Sequence, residues 1–294
     1  MITFLPRPRC TSPLRSRGAK YSASRSARRA TTGNSDSART EVSGAGSVPE
    51  LAFENSSAER ILLVDGDELV GAKQNRVINL SILVGAGKRI VIPVTCVEQG
   101  RWKYRSDAFS SSRSALFAKA RARKMSQVSS SLRDSGTRRS NQGEIWDAVA
   151  VKAGALGSAS ETMAMSDLFE SRTRDLGRYA GAFRAEPRQR GAVMAVDGKV
   201  VGLELFDSAA TYAKYLDKLV RSYAIDAIET ANGKNLAPGE EEVRRFIESL
   251  KSAGAERFAA LGEGEDIRLS GTGVAGGALA AGGRVVHLAG FATG

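Results

Sequence analysis

Two short polar clusters carry the side chains best suited to chemistry. The first follows the dipeptide Asp65-Gly66 and mixes acids, amides and cations: Asp67, Glu68, Lys73, Gln74, Asn75 and Arg76. The second ends an apolar stretch and adds a thiol and an indole: Cys96, Glu98, Gln99, Arg101 and Trp102. Such a mixture can bind the hydroxyl, amide and phosphate groups of one ligand. We therefore predict a small-molecule site whose ligand-binding residues are Lys73, Gln74, Asn75, Gln99, Arg101 and Trp102.

Glu68 and Glu98 are the candidate catalytic residues. The only histidine, His287, lies near the C-terminus, so acid–base chemistry in these clusters must use carboxylates. Cleavage of a glycosidic or N-glycosidic bond needs two carboxylates, one of them with a raised pKa. The alternative is that Glu68 and Glu98 pair with the neighbouring lysine and arginine side chains as structural ion pairs. Whether the protein is an enzyme, and with which cofactor, stays open at this point.

The remaining reactive and aromatic residues have plainer interpretations. Cys96 lies between apolar residues and is predicted to be a small buried side chain rather than a nucleophile activated by Arg101. Trp102 and Trp146 either stack on a base or belong to the core. His287 alternates with apolar residues, which is typical of a structural histidine. With only two cysteines in the chain, a disulfide framework and a cysteine-based zinc site are excluded, and a reducing, cytoplasmic location is expected.

The positive charge is concentrated in two segments, although the whole chain has a net charge of +11. Residues 1–40 hold nine Lys and Arg against one acid, and residues 101–140 hold eleven against two. In the second segment we favour a phosphate-binding role for Arg101 and Arg105, whereas the other cations fit a solvated helix face. A nucleic-acid partner is not expected, because the segment lacks the interleaved aromatic residues of a stacking platform. No run of apolar residues is long enough to span a membrane.

The N-terminal segment differs in composition from the rest. Residues 1–40 are rich in Arg and Ser, and between Arg7 and Thr40 their only sizeable apolar side chains are Leu14 and Tyr21. Such a segment cannot bury a core, so we predict a disordered tail followed by a single domain over residues 41–294. A start site located downstream and an organelle transit peptide are the alternatives.

The domain itself is predicted to be α+β, with a mostly antiparallel sheet built from β-hairpins and interspersed helices. Hairpins are expected around Asp65-Gly66, between the strands 77–84 and 89–97, around Asp197-Gly198 and around Gly282-Gly283. Pro93 cannot donate to a ladder, which predicts an edge strand or a bulge there. Helices are expected over 113–133, after Asn141, from Ser166, over 209–230 and over 240–261.

The two polar clusters also carry a family resemblance. Residues 63–76 and 92–102 resemble the signature of the ARG and rhodanese-phosphatase-superfamily-associated protein domain, and the likeness extends from about Ser47 to Phe291. The resemblance implies a link to ADP-ribosylglycohydrolases and to NAD and ADP-ribose metabolism. It therefore implies an ADP-ribose or NAD-derived nucleotide as ligand. The alternative is a non-catalytic interaction module in which the same polar cluster is structural.

Overall fold

The computed structural model describes residues 2–4, 37–43, 46–230 and 237–293, with side chains described from Ser37 onward. The strands are β1 Ile2–Phe4, β2 Ser37–Glu41, β3 Glu50–Asn55, β4 Ile61–Leu63, β5 Asp67–Gly71, β6 Arg76–Ile78, β7 Ile82–Val84, β8 Arg89–Cys96, β9 Phe109–Ala115, β10 Gly191–Val196, β11 Lys199–Phe206, β12 Gly254–Ala259, β13 Glu265–Gly271, β14 Val274–Ala281 and β15 Arg284–Ala292. The helices are α1 Ala118–Ser135, α2 Gln142–Ala155, α3 Met165–Ser171, α4 Thr173–Gly181, α5 Ala209–Thr230 and α6 Glu240–Ser252.

Every strand pairing in this part of the chain is antiparallel, which confirms the predicted α+β class. One sheet has the order β1-β10-β11-β15-β14-β13-β12, a second has β2-β3-β8-β6-β5-β9, and β4 pairs with β7 alone. Helices α1 and α5 contribute apolar side chains to the largest core, among them Ala120, Met125, Tyr212, Leu216 and Tyr223. None of the helices described has the length and apolar content to cross a membrane.

The predicted hairpin around Asp65-Gly66 is wrong. Gly66 has the expected positive φ of 81°, but β4 pairs with β7, and β5 pairs with β6 and β9. The turn therefore passes the chain from one sheet to another. A turn dipeptide specifies the local reversal of the chain but not the long-range partner of each strand, which depends on the buried face.

The predicted strand over 77–84 is divided into β6 and β7, and the hairpin with 89–97 is only partly present. β6 pairs with β8, but β7 does not. β8 also lies inside its sheet rather than at an edge. Pro93 is tolerated there because it faces Glu50 at the end of the pairing with β3, while the pairing with β6 begins at Val94.

The two later hairpins are confirmed. β10 pairs with β11 across Asp197-Gly198, whose φ values of 49° and 82° are those of a tight turn with two left-handed residues. β14 pairs with β15 across Gly282-Gly283. The predicted helix over 240–261 ends at Ser252, and the chain continues as β12.

The predicted N-terminal tail can be compared with the structure only at its two ends. Within residues 1–40, β1 pairs with β10 and most of β2 pairs with β3. Strand β2, Ser37–Glu41, begins before the predicted boundary at 41. Residues 5–36, on which the tail prediction mainly falls, lie outside the described residues.

Candidate functional site

The two polar clusters predicted from the sequence meet in the structure. The first runs from β5 through the following turn to the start of β6, and the second begins at Cys96, the last residue of β8, which pairs with β6. Gly71 shapes this turn, because its φ is 139° and a Cβ there would lie 2.6 Å from the carbonyl oxygen of Ala108. As a result the backbone N–H of Asn75 donates to Glu98 Oε2 at 3.0 Å.

Glu98 is held by four hydrogen bonds. Arg101 donates to both carboxylate oxygens, from Nε at 2.8 Å and from Nη2 at 2.7 Å. Thr162 Oγ1 donates to Oε1 at 2.9 Å, and the Asn75 N–H completes the set. Burial alone would raise the pKa of Glu98, but these donors lower the pKa overall. Glu98 is thus an ionised carboxylate whose acceptor positions are largely occupied.

Arg101 joins the two clusters. Besides Glu98, its guanidinium donates to the carbonyl oxygens of Ala72 and Lys103 at 2.8 and 2.9 Å and to Asn75 Oδ1 at 3.1 Å. A planar guanidinium suits this role because its donors diverge in fixed directions. These bonds occupy the group that the sequence assigned to phosphate binding, so Arg101 acts mainly as a clamp between loops.

An open pocket of about 660 Å³ lies beside this clamp. Its lining includes three of the residues singled out from the sequence, Glu98, Arg101 and Arg105. The rest comes from the loop before α3 and from the first turn of that helix: Ala159, Ser160, Glu161, Thr162, Ser166 and Asp167. The pocket is therefore lined by hydroxyls, carboxylates and guanidinium groups.

The loop before α3 is fixed against the end of β8. The Gly100 N–H donates to the Thr162 carbonyl at 2.8 Å, and the Met165 N–H donates to the Val97 carbonyl at 2.9 Å. Ser160 Oγ donates to Asp167 Oδ2 at 2.5 Å, while Ser166 Oγ accepts from Asn75 Nδ2 at 3.2 Å. These bonds place the hydroxyl and carboxylate groups on one wall of the pocket before any ligand arrives.

Arg105 is the cation of this pocket that remains available. Its backbone N–H donates to the Ala72 carbonyl at 2.9 Å, which fixes the chain. Its side chain is exposed, lines the pocket and has no hydrogen bond or ion pair within the described ranges. Arg105 was among the phosphate-binding residues favoured from the sequence, and its surroundings suit that role better than those of Arg101.

Glu68 lies on β5, fully buried. Ser112 Oγ donates to its Oε2 at 2.7 Å, whereas Oε1 is buried without a partner. Burial raises the pKa of Glu68 to about 7, with smaller contributions of the same sign from Glu98 and Glu170. The two predicted catalytic carboxylates therefore differ in protonation. Only Glu98 is among the residues that line the pocket.

The amide and aromatic residues predicted to bind ligand have different surroundings. Gln74 is buried, with Nε2 donating to the Glu98 carbonyl at 3.1 Å and Oε1 accepting from Arg76 at 2.8 Å. Gln99 is exposed. Trp102 is 49% exposed, and the Lys73 ammonium lies 5.3 Å from its ring centroid. Trp102 is thus not a core residue.

Cys96 is fully buried, and burial raises the pKa of its thiol, which agrees with the predicted small apolar role rather than with a nucleophile. Its backbone N–H donates to Gln142 Oε1 at 2.9 Å, and its carbonyl accepts from Gln142 Nε2 at 2.8 Å. Gln142 thereby joins the first turn of α2 to the end of β8. Trp146, one turn further along α2, is partly buried.

A second charged cluster lies away from the pocket. Arg121 and Lys124 are fully buried and bind Asp65, and Arg121 Nη1 also donates to Glu204 Oε1 at 2.6 Å. His287 Nε2 lies 3.2 Å from Glu204 Oε2. His287 is therefore a buried structural residue, as predicted. The predicted solvated face of α1 is wrong for Arg121 and Lys124, because buried acids from β11 and from the turn after β4 neutralise them.

Comparison with known proteins identifies the family. A family model for the ARG and Rhodanese-Phosphatase-superfamily-associated Protein domain matches residues 13–291. The chain belongs to this family. The family match begins at residue 13 rather than near Ser47, so it includes most of the predicted tail. No curated protein and no solved structure matches the chain.

The pocket-lining residues of this family member that sequence reasoning missed lie in one stretch, the loop over residues 159–162 and the first turn of α3. Ser160, Glu161 and Thr162 precede α3, far along the chain from both polar clusters. A signal was present, because a run of small and polar residues just before a helix is typical of an exposed loop. Nothing in the sequence indicates that this loop folds against the end of β8.

Proposed function

We propose that this pocket binds or processes an ADP-ribose or NAD-derived nucleotide. The observation that carries the proposal is the composition of its wall, in which Ser160, Thr162 and Ser166 alternate with carboxylates beside the uncommitted guanidinium of Arg105. Carboxylates and hydroxyls bind the diol of a ribose, and a guanidinium binds phosphate through two parallel hydrogen bonds. A volume of about 660 Å³ lies in the usual range for small-molecule sites.

The ligand class draws further support from the family name, which associates the domain with ARG and rhodanese-phosphatase superfamily proteins. Titration calorimetry with ADP-ribose and with NAD tests the proposal directly. We expect binding to the wild type, and about tenfold or greater weakening in Arg105→Ala, because a charge-assisted hydrogen bond to phosphate is lost. Lys103→Ala is the matched control, since it removes a nearby exposed cation that does not line the pocket.

A catalytic role for the site depends on the contrast between Glu68 and Glu98. Glu68, with a pKa of about 7, can release a proton near neutral pH, and because it does not line the pocket this proton would reach a ligand through an intervening group. The ionised Glu98 on the pocket wall would stabilise developing positive charge. We expect Glu68→Gln and Glu98→Gln each to lower kcat by about 100-fold or more in an assay of ADP-ribose or NAD breakdown. Activity that survives both substitutions would return these carboxylates to a binding or structural role.

The second candidate function is a non-catalytic interaction module. The observation that favours it is the internal use of Gln74, Asn75 and Arg101, whose polar groups bond to neighbouring loops. Under this hypothesis we expect no heat of binding on titration with ADP-ribose or NAD, and a lower free energy of unfolding in Gln74→Ala. The same titrations therefore distinguish the two functions.

A further inference from the structure

The segment between β8 and β9 alternates cations with aromatic rings over Arg101, Trp102, Lys103, Tyr104 and Arg105. Trp102 and Tyr104 are 49% and 57% exposed. They are the only aromatic residues among the large apolar side chains that the described chain exposes. The sequence-based prediction that this region lacks interleaved aromatic residues is therefore wrong for these five positions, even though it holds along α1.

The surrounding structure fixes both rings in place. The guanidinium of fully buried Arg76 lies 5.6 Å from the ring centroid of Trp102, and the Lys73 ammonium lies 5.3 Å from it, while 49% of the Trp102 side chain stays exposed. Tyr104 donates its hydroxyl to Asp107 Oδ1 at 2.5 Å. On either side of the rings, Arg101 and the Arg105 N–H both bond to the Ala72 carbonyl. Little side-chain entropy is then lost when a flat group packs on the exposed rings.

We propose that Trp102 and Tyr104 form a stacking platform for the base of a nucleotide whose ribose and phosphate occupy the adjacent pocket. The inference rests on the proposed function and names its substrate class: nucleotides with an accessible base. Continuity supports it, because Arg101 and Arg105 flank the rings in the chain and also line the pocket. Stacking on indole and phenol rings accepts any base, since every base has a π-face.

The platform is tested with three probes: ADP-ribose, uridine 5′-monophosphate and ribose 5-phosphate, which has no base. Each is titrated by calorimetry into the wild type, Trp102→Leu, Tyr104→Leu and Trp102→Phe. Val91→Ala is the matched control, because Val91 is an apolar residue of similar exposure, 50%, on β8. Fluorescence of Trp102 gives a second readout, since a stacked base quenches an indole.

We expect Trp102→Leu to weaken both nucleotides by about 5-fold to 100-fold and to leave ribose 5-phosphate unchanged. Trp102→Phe should retain most of the affinity, and Tyr104→Leu should have a smaller effect of the same pattern. Equal affinities in wild type and Trp102→Leu, or an equal loss for all three probes, would overturn the platform and leave the pocket in place. Failure of every probe to bind the wild type would overturn the proposed function and the platform together.

Discussion

Two clusters of charged residues in this protein are similar in composition but differ in burial and in the size of the cavity beside them. Around Arg121, the buried acids Asp65 and Glu204 are matched by buried cations and by His287, and the adjoining cavity of about 10 Å³ has room for at most one water molecule. Around Arg101, the ion pair with Glu98 borders a pocket of about 660 Å³ that also contains Arg105. The cluster around Arg121 joins α1 to β11 and to the turn after β4. The cluster around Arg101 joins loops and leaves the Arg105 side chain available to a ligand.

This difference shows that the density of charged residues does not identify a site. Burial alone would raise the pKa of Glu204, but Arg121 and His287 lower it overall, so the carboxylate is already neutralised from within. A functional site needs polar groups whose partners are absent from the protein itself. Exposed Arg105, which lines the pocket beside Glu98 and Arg101 and whose side chain has no bonded partner in the described chain, meets that description.

The largest effect is expected from a substitution in the buried cluster around Arg121. Arg121→Met removes the guanidinium and leaves Asp65 and Glu204 buried with less compensation, so we expect the free energy of unfolding to fall by about 3–5 kcal/mol. Urea denaturation followed by circular dichroism measures it. Lys119→Met is the control on the same helix, because the Lys119 side chain is 60% exposed and its partner Glu229 keeps a second cation, Lys152, so the loss should be less than about 1 kcal/mol. Similar losses in both variants would contradict the view that the buried ion pairs of Arg121 stabilise the fold more than an exposed pair does.

The next effect is a pH dependence caused by Glu68. Because the pKa of this carboxyl is about 7 in the folded state and near its ordinary value when unfolded, the folded state binds the proton more tightly. Its contribution to stability is present at acid pH and is lost as the pH rises through about 7. We expect the wild type to lose roughly 2–3 kcal/mol relative to Glu68→Gln between pH 5 and pH 8.

Urea denaturation of both proteins at each pH isolates this contribution, since all other titrating groups are shared. Parallel pH profiles for wild type and Glu68→Gln would show that Glu68 has an ordinary pKa. In that case Glu68 could not serve as a proton donor near neutral pH.

A third and smaller contrast lies within the predicted ligand-binding residues. Gln74→Ala removes a buried amide that bonds the Glu98 carbonyl and Arg76, so we expect a loss of about 1–3 kcal/mol in the free energy of unfolding. Gln99→Ala changes an exposed amide and should stay within about 0.5 kcal/mol. Equal melting temperatures for the two variants would mean that the hydrogen bond from Gln74 to the Glu98 carbonyl does not stabilise the fold.

Much of the local structure could be predicted from the sequence, because it depends on neighbouring residues. Asn141 accepts from the Glu144 N–H at the start of α2, as its spacing indicates, and Asp197-Gly198 makes the expected hairpin turn. These features need no knowledge of the tertiary arrangement.

The rest depends on contacts between distant parts of the chain. The hairpin signal at Asp65-Gly66 gave the wrong partner because β4 buries its face against β7 instead. The charges of Arg121 suggested a solvated helix face, since its partner Glu204 is 83 residues away in the chain. The loop from Ser160 to Thr162 was missed for the same reason. Sequence patterns indicate which face of a helix or strand is polar, but they do not indicate which distant residues contact that face.

The smallest expected effect on stability comes from Arg105, and it separates the ligand-binding cation from the structural one. Arg101→Ala removes the donors that hold Glu98 and two loop carbonyls, so we expect it to lower the melting temperature markedly. Arg105→Ala removes an exposed side chain with no bonded partner in the described chain, so the free energy of unfolding should change by less than about 0.5 kcal/mol. Differential scanning fluorimetry of the two variants compares the same functional group four positions apart. A destabilised Arg105→Ala would mean that this guanidinium serves the fold, and the pocket would then have no cation reserved for a ligand.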